Sequence, residues 1–370
     1  MIEIKKIYKR DIPELLSNNN FWSYSFLSIS KHRLYAHYKN PLLEDNDIVL
    51  LLSYLNSELV GYMGLFIDQI NINNQTQKIG WLSTWWVHPK TKGTGIGREI
   101  LNTMYSENNG QIGISQFTPS AKRVYDKSEY FTTLKENKGL KAVLRSNLTF
   151  VIPTLFPKTK KLSSFFNNID FILNLFINIK LSIQKVFISK KLKNISVEYL
   201  NIIDEETLNI INKFNKNDIS TKGKDFFEWL KAYNWVQIAP LLNLTNKDKY
   251  EFSTYDREFE FSLIKIIKEN YCIGFIVLQK RNYVLKVLFT YFDNLKYTDE
   301  ITNILKLQAI IQNTREIICY DENICYNLKK SNLFLYKTKK IKQSIISKVF
   351  KKTDFDNVRM NFGDGDCSFA

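Results

Sequence analysis

The run Val87-His88-Pro89-Lys90-Thr91-Lys92-Gly93-Thr94-Gly95-Ile96-Gly97-Arg98 constrains this chain more than any other feature. It follows an apolar stretch, residues 78–87, that reads as a strand. It opens a helical pattern over 96–107, with Ile96, Ile100, Leu101 and Met104 on one face. Three glycines at every second position let the backbone turn between the two with little steric cost. A helix start also carries unsatisfied N–H donors and a partial positive charge. The loop therefore predicts an anion site suited to a pyrophosphate, with Lys92 and Arg98 adding countercharge. An ordinary glycine-rich turn would read the same in isolation. The strand, the proline and the helix around it favour the anion site.

The flanking pattern gives a fold class. Residues 2–7 read as a strand and 11–18 as a short helix. Residues 47–56 and 59–68 read as a hairpin turning at Asn56-Ser57-Glu58, followed by a polar loop, NINNQTQ. Residues 111–117 read as a strand. A helix over 119–128 opens on Pro119, and 130–145 read as closing strands. The order β-α-β-β-β-α-β-α-β is an α/β arrangement, an α+β mixed sheet with helices.

A length of 370 residues suggests two domains, and the pattern restarts near residue 194. Strands at 258–268, 272–279 and 283–292 precede a helix at 298–312, a strand at 315–320, a helix at 321–330 and a strand at 332–338. Leu82-Ser83-Thr84-Trp85-Trp86 is echoed by Leu288-Phe289-Thr290-Tyr291-Phe292, and Tyr125–Phe131 by Leu328–Phe334. We read a duplication: domains at 1–150 and 194–350, a linker at 151–193 and a tail at 351–370. Within the linker, a helical apolar stripe is flanked by lysines at 158–161 and 190–193. It suits a helix lying on a membrane surface or a linker helix packed between two domains, and Asn on its polar face favours the linker.

Composition excludes several classes. Apolar residues at 44% and aromatics at 14% indicate a folded chain. The formal charge of +15 is spread along the sequence, so nucleic-acid binding is not expected. Four cysteines without a CxxC pair and three histidines predict no metal site. With no apolar leader and no stretch of about 18 uninterrupted apolar residues, we expect no transmembrane segment and a cytoplasmic location.

Residues 1–145 resemble the GNAT superfamily of acyl-CoA-dependent N-acyltransferases. The family pattern is a strand ending in Val-x-Pro, then Arg or Gln, then Gly-x-Gly or Ala and a helix. Gly95 and Gly97 match it, and Lys92 stands where the family prefers Arg or Gln. Downstream, Ala121, Val124, Tyr125 and Lys127 fit a second family motif, with Thr118 in place of its Asn and Glu129 in place of its Gly. The resemblance implies acetyl-CoA or another acyl-CoA as donor. Its pyrophosphate would lie on Lys92, Gly93, Thr94, Gly95, Ile96, Gly97 and Arg98. Its pantetheine arm would enter a V between strands 78–87 and 111–117, beside Trp86, Val87, Thr118 and Ala121. Tyr125 would protonate the departing thiolate, and a small-molecule amine would attack the thioester. Where many relatives carry a basic Glu, this chain has Ser83, Thr84, Trp85 and Trp86. No base stands out; His88 reads as structural, and Asp68, which closes the second hairpin strand, is a candidate.

In the second half, Asp293–Asp299 contains no glycine, and Leu328 stands at the place of Tyr125. It reads as a degenerate copy that completes the acceptor pocket or fixes a homodimer. Trp229, Tyr233 and Trp235 suit a sugar-stacking wall or core packing, with core favoured. The tail Asn361–Ala370, rich in glycine and aspartate, would line a polar pocket or form a bound turn. The tail and tandem layout are similar to bacterial GNAT-type proteins of surface-polysaccharide synthesis, which implies an amino-sugar nucleotide acceptor. Two other readings stay open. One is a Fem-type aminoacyl transferase using charged tRNA, against which the glycine loop argues. The other is a non-catalytic acyl-CoA-binding protein, for which the missing base leaves room.

Overall fold

The computed structural model describes residues 2–22, 28–72, 75–236, 256–351 and 353–369. Residues 23–27 of the aromatic-rich N-terminal stretch and Ala370 of the tail lie outside that set. The first half supplies β1 (Ile2–Tyr8), β2 (Ile48–Leu55), β3 (Glu58–Ile72), β4 (Gln75–Val87), β5 (Ile112–Ile114) and β6 (Phe131–Val143). Its helices are α1 (Ile12–Ser17), α2 (Asn19–Trp22), α3 (Lys31–Tyr38), α4 (Ile96–Glu107) and α5 (Pro119–Ser128). Two helices connect the halves, α6 (Leu148–Leu155) and α7 (Ser163–Lys191). The second half supplies β7 (Ile195–Leu200), β8 (Phe259–Lys268), β9 (Tyr271–Arg281), β10 (Val284–Phe292), β11 (Glu316–Cys319) and β12 (Tyr336–Ser347). Its helices are α8 (Glu205–Phe214), α9 (Lys224–Ala232), α10 (Asn294–Ile311) and α11 (Glu322–Lys330).

Among the described residues, twelve strands join one mixed sheet in the order β1-β2-β3-β4-β5-β12-β6-β11-β10-β9-β8-β7. The halves exchange their last strands. β12 pairs antiparallel with β5 of the first half (Ile345↔Ile114), and β6 pairs antiparallel with β11 of the second (Ile317↔Ala142). β6 and β12 then pair with each other from Phe131↔Ser347 to Tyr336↔Val143 at the centre of the sheet. The mixed α/β class is as read from sequence, but this crossing of strands was not anticipated. The cause lies in β12, expected at 332–338 and found at 336–347. Its lysine-rich run hides an alternation in which Lys342, Ser344 and Ile346 are buried. Lys342 Nζ satisfies itself on the Phe362 carbonyl at 3.1 Å.

The NINNQTQ segment is largely strand. Asn71 pairs with Thr76 and Ile72 with Gln75, and the Asn71 amide donates to Ile219 O at 2.8 Å. Ile70 and Ile72 are buried against the second half, so tertiary burial extends the hairpin past its polar sequence. Asp68 joins the halves at the same place. It is 1 % exposed and accepts from Trp81 Nε1 at 3.1 Å, Ser220 Oγ at 3.0 Å and Lys222 Nζ at 2.5 Å. These bonds make Asp68 a structural link between the halves, and it does not line the cavity where β4 and β5 part, which sets it aside as a base. Trp229 is likewise core: it is buried, and its Nε1 donates to Ala36 O at 3.0 Å.

α7 departs from the expected packed linker. Only Asp170, Leu181 and Ile188 of its 29 residues are buried. By length and composition, Pro157–Lys191 is apolar enough to cross a membrane. The interspersed asparagines are what broke the apolar run in the sequence.

Candidate functional site

β4 and β5 run parallel, and their pairing is confined to Gly80↔Ile112 and Trp81↔Gly113. Beyond Trp81 they part. Leu82, Ser83, Thr84 and Trp85 form one wall of the gap; Ile114, Gln116 and Phe117 form the other, and a cavity of about 580 Å³ lies between them. The ladder with β3 shifts register between Tyr62 and Gly64, where β4 bulges. Thr84 within the bulge has φ +46°, rare for a β-branched residue. Strain of this kind persists only where surrounding structure enforces it, and it concentrates at functional sites. Thr84 Oγ1 and Trp85 Nε1 are buried, with no hydrogen-bond partner among the described residues. Both residues line the cavity, but these two atoms are themselves covered, and Thr84 Oγ1 turns toward Gly64 of β3.

The glycine loop lies between β4 and α4. His88 Nδ1 accepts from the Lys90 amide at 3.1 Å, which gives this histidine a structural role. Thr91 is buried, and its carbonyl accepts from the Thr94 amide and hydroxyl at 3.1 and 2.7 Å. Gly93 and Gly95 have φ of +89° and +83°, which favours glycine, and open space lies where a Cβ would stand. Gly97 packs its Cα edge toward Trp85. Lys92, Thr94 and Arg98 are exposed, and Ile96 anchors the turn in the core. The first-turn amides of Gly97 and Arg98 have no carbonyl one turn back within α4. An open concave backbone, first-turn amides and two cations fit a pyrophosphate. Trp86 stacks on Tyr62 with ring centroids 5.5 Å apart, and Val87 pairs with Gly61. Thr118 caps α5 by accepting from the Ala121 amide at 3.3 Å, and both residues line the cavity.

Tyr125 reaches the cavity from α5. Its ring is buried against Trp85, Phe117 and Phe131, with centroids 5.3, 6.2 and 5.4 Å away. Burial, and secondarily the nearby Asp366 carboxylate, push its phenol well above the ordinary tyrosine range. That carboxylate comes from the C-terminal tail. Asp366 Oδ2 accepts from Ser83 Oγ at 2.7 Å and from Arg33 Nη2 at 3.3 Å, and Oδ1 accepts from Ser115 Oγ at 3.2 Å. Arg33, from α3, is 4 % exposed and also donates to Ser83 Oγ at 3.1 Å. Cys367 beside it donates to Ser115 Oγ at 3.3 Å. Tail, α3, β4 and β5 thus meet at one carboxylate next to Tyr125. The glycine-and-aspartate tail was the signal in the sequence; its partners Arg33, Ser83 and Ser115 gave none.

The opposite wall belongs to the second half and is cationic. Arg281, Lys286 and Lys340 line it. Arg281 is paired with Asp256 at 2.6 Å. Burial, then the Arg281 charge, push the Lys286 ammonium down to about 8. Lys340 is exposed. A larger concavity of about 950 Å³ lies between α7, α10 and α11, but it holds none of the expected site residues.

β10 and β11 also run parallel, and their pairing is confined to Val284–Lys286. Here the gap is filled by the chain. Gly363 N donates to Leu288 O at 3.0 Å and Arg359 Nη1 to Thr290 O at 3.1 Å, and only about 40 Å³ is left among residues 287–290 and 359–362. α10 begins at Asn294 rather than 298. Asp293 caps it, its carboxylate accepting from the Leu295 amide at 3.0 Å. Leu328 is fully buried.

Residues 3–132 match the family described as acetyltransferase (GNAT) domain, about a third of the chain. No curated protein matches the sequence. Among solved structures, a GCN5-related N-acetyltransferase from Kribbella flavida is similar at 10% identity and TM-score 0.47, covering 93% of this chain and 71% of that one. One from Anabaena variabilis is similar at 8% and 0.48, covering 93% and 72%. Saccharomyces cerevisiae N-myristoyltransferase with bound myristoyl-CoA is similar at 8% and 0.49, covering 93% and 82%.

Proposed function

We propose that this chain, whose residues 3–132 match the acetyltransferase (GNAT) domain family, is an acyl-CoA-dependent acyltransferase that acylates the amine of a small anionic acceptor such as an amino-sugar nucleotide. The observation that carries this reading is the Asp366 carboxylate held beside Tyr125 in the open gap between β4 and β5. The donor supplies an acyl group activated as a thioester, and the loop Lys92–Arg98 is built to hold its pyrophosphate.

Asp366 takes the proton that the attacking nitrogen loses as the C–N bond forms. Arg33, Ser83 and Ser115 fix its orientation and hold it as an acceptor. Tyr125 gives its phenolic proton to the sulfur that leaves as the C–S bond breaks. Its raised affinity for that proton keeps it in the donor form throughout the neutral range. Lys286, Lys340 and Arg281 face the acceptor side and suit a phosphate or carboxylate on the molecule that brings the amine. The second half is then a degenerate copy of the first that has given up the donor and supplies the acceptor wall and the base. The tandem layout supports a role in surface-polysaccharide synthesis, and an acyl-CoA donor supports a cytoplasmic site of action.

Asp366→Asn tests the reading. The expected result is a kcat lowered about 100-fold or more, with acyl-CoA affinity by calorimetry unchanged. Undiminished turnover in this variant would remove Asp366 as base and, with it, the proposed chemistry.

A further inference from the structure

α7 is amphipathic the wrong way round for a helix on a folded protein. Its polar residues face the body. Asp170 accepts from the Leu148 and Thr149 amides at 2.8 and 2.9 Å and from Ser146 Oγ at 2.6 Å. Asn174 accepts from the Ser146 amide at 2.8 Å, and Asn178 from Arg145 Nε at 2.9 Å. Leu181 and Ile188 fasten the later turns to the core beneath α10. The outward face is apolar: Phe165, Phe171, Phe176, Ile179, Ile183 and Phe187 are each 54–69% exposed. α6 and the turn after it continue this surface with Phe150, Leu155 and Phe156, each at least 60% exposed. A monomeric protein in water rarely shows so large a contiguous apolar face.

We propose that the α6–α7 face seats this protein on the surface of an anionic lipid bilayer. Charge selects the lipid. Residues 148–193 carry eight lysines and one acid, Asp170, which is buried and bonded to the start of α6. Lysines near an anionic leaflet add to apolar insertion and respond to salt. Width excludes a coiled-coil partner as the occupant. At 3.6 residues per turn the exposed apolar positions from Phe171 round to Leu173 span about 200° of α7, far more than a coiled-coil seam. A bilayer interface accepts such a face whole. Attachment excludes a crossing. The helix is about 43 Å long, enough to span, but Asp170, Asn174, Asn178, Leu181 and Ile188 tie it to the body along most of that length. It therefore lies on the membrane with its axis in the plane.

The test is vesicle flotation of the full chain, with sedimentation equilibrium alongside. Vesicles of three parts phosphatidylcholine to one part phosphatidylglycerol should carry the protein at 0.1 M salt. Pure phosphatidylcholine should carry several-fold less, and 0.5 M salt should reduce the anionic preference. The triple variant Phe176→Ser, Ile179→Ser, Ile183→Ser should lower partitioning about 100-fold, while acyl-CoA binding, far from this face, stays unchanged and reports an intact fold. Lys158→Gln with Lys161→Gln and Lys190→Gln should erase the preference for anionic vesicles and leave residual binding. Absence of flotation on both vesicles, or a stable dimer in solution that the triple variant dissociates, would overturn the proposal.

Discussion

The two parallel strand pairs of this sheet, β4–β5 and β10–β11, open the same kind of gap and fill it differently. Between β4 and β5 about 580 Å³ stays empty; between β10 and β11 the tail segment 359–362 leaves about 40 Å³. The helix that follows each pair repeats the contrast. α4 begins behind two glycines with open space above them, whereas α10 begins behind Asp293, whose own carboxylate takes the Leu295 amide. One crossing leaves its positive end open, and the other satisfies it from within. The lesson is that a strand-to-helix crossing provides an anion site only if the chain declines to cap it. The tail turns that contrast into function: having closed the second gap, it continues into the first and places Asp366 beside Tyr125.

The largest effect should come from making the first crossing resemble the second. Gly95→Asp puts a carboxylate where the loop is open, at a φ that Asp tolerates better than most residues. Acyl-CoA affinity should fall about 100-fold through like-charge repulsion and lost space, read by calorimetry against an unchanged far-UV spectrum. Retained affinity would mean that the donor binds elsewhere. A smaller loss is expected from Tyr125→Phe, which leaves the packing on Trp85 and Phe131 but removes the proton. We expect kcat to drop about 10-fold or more with acyl-CoA affinity intact; equal loss in both would reduce Tyr125 to a packing residue.

The plug in the second gap should be sensitive to pH through Asp364. This side chain is fully buried, and burial pushes its carboxyl up to about 8 against the opposing pull of Lys222. In the unfolded chain it ionises near 4. Between those values the folded state holds the extra proton, so the contribution of Asp364 is best at low pH and is lost as pH rises from about 4 to about 8. Asp364→Asn removes that dependence. Its melting temperature should exceed the parent's by about 2 °C or more at pH 8, and the gap should close toward pH 5. Parallel curves for the two proteins would show that Asp364 does not ionise in place.

The glycine loop and Tyr125 were legible because their chemistry is local: a strand, a turn and two helix starts within about forty residues. The proposed base was not, because it is assembled across the chain. Ser83 and Asp366 stand 283 residues apart, and Arg33 arrives from a helix with no distinguishing pattern. The exchange of β6 and β12 escaped for a related reason. Pairing of lysine-rich strands is decided by partners such as the Phe362 carbonyl, which receives Lys342, and these appear only once the tail is folded. In α7 the asparagines mark the polar face in the sequence, and which way that face turns is decided by Ser146 and Arg145, to which Asn174 and Asn178 bond inward.

The smallest expected effect separates capping from binding. Asp293→Ala removes the carboxylate that satisfies the Leu295 amide, and a lost N-cap of this kind costs about 1 kcal/mol. In a chain of this size that is about 2 °C in melting temperature. Nothing else in the comparison should move, because α10 lies in the half whose gap is already filled. The informative measurement is made with acyl-CoA present. If the crossing before α10 is closed by the tail as well as by Asp293, the variant should bind one donor per chain, as the parent does. A second equivalent of bound acyl-CoA after this single change would show that Asp293 alone had silenced the second site and that the plug at 359–362 is not what keeps it shut.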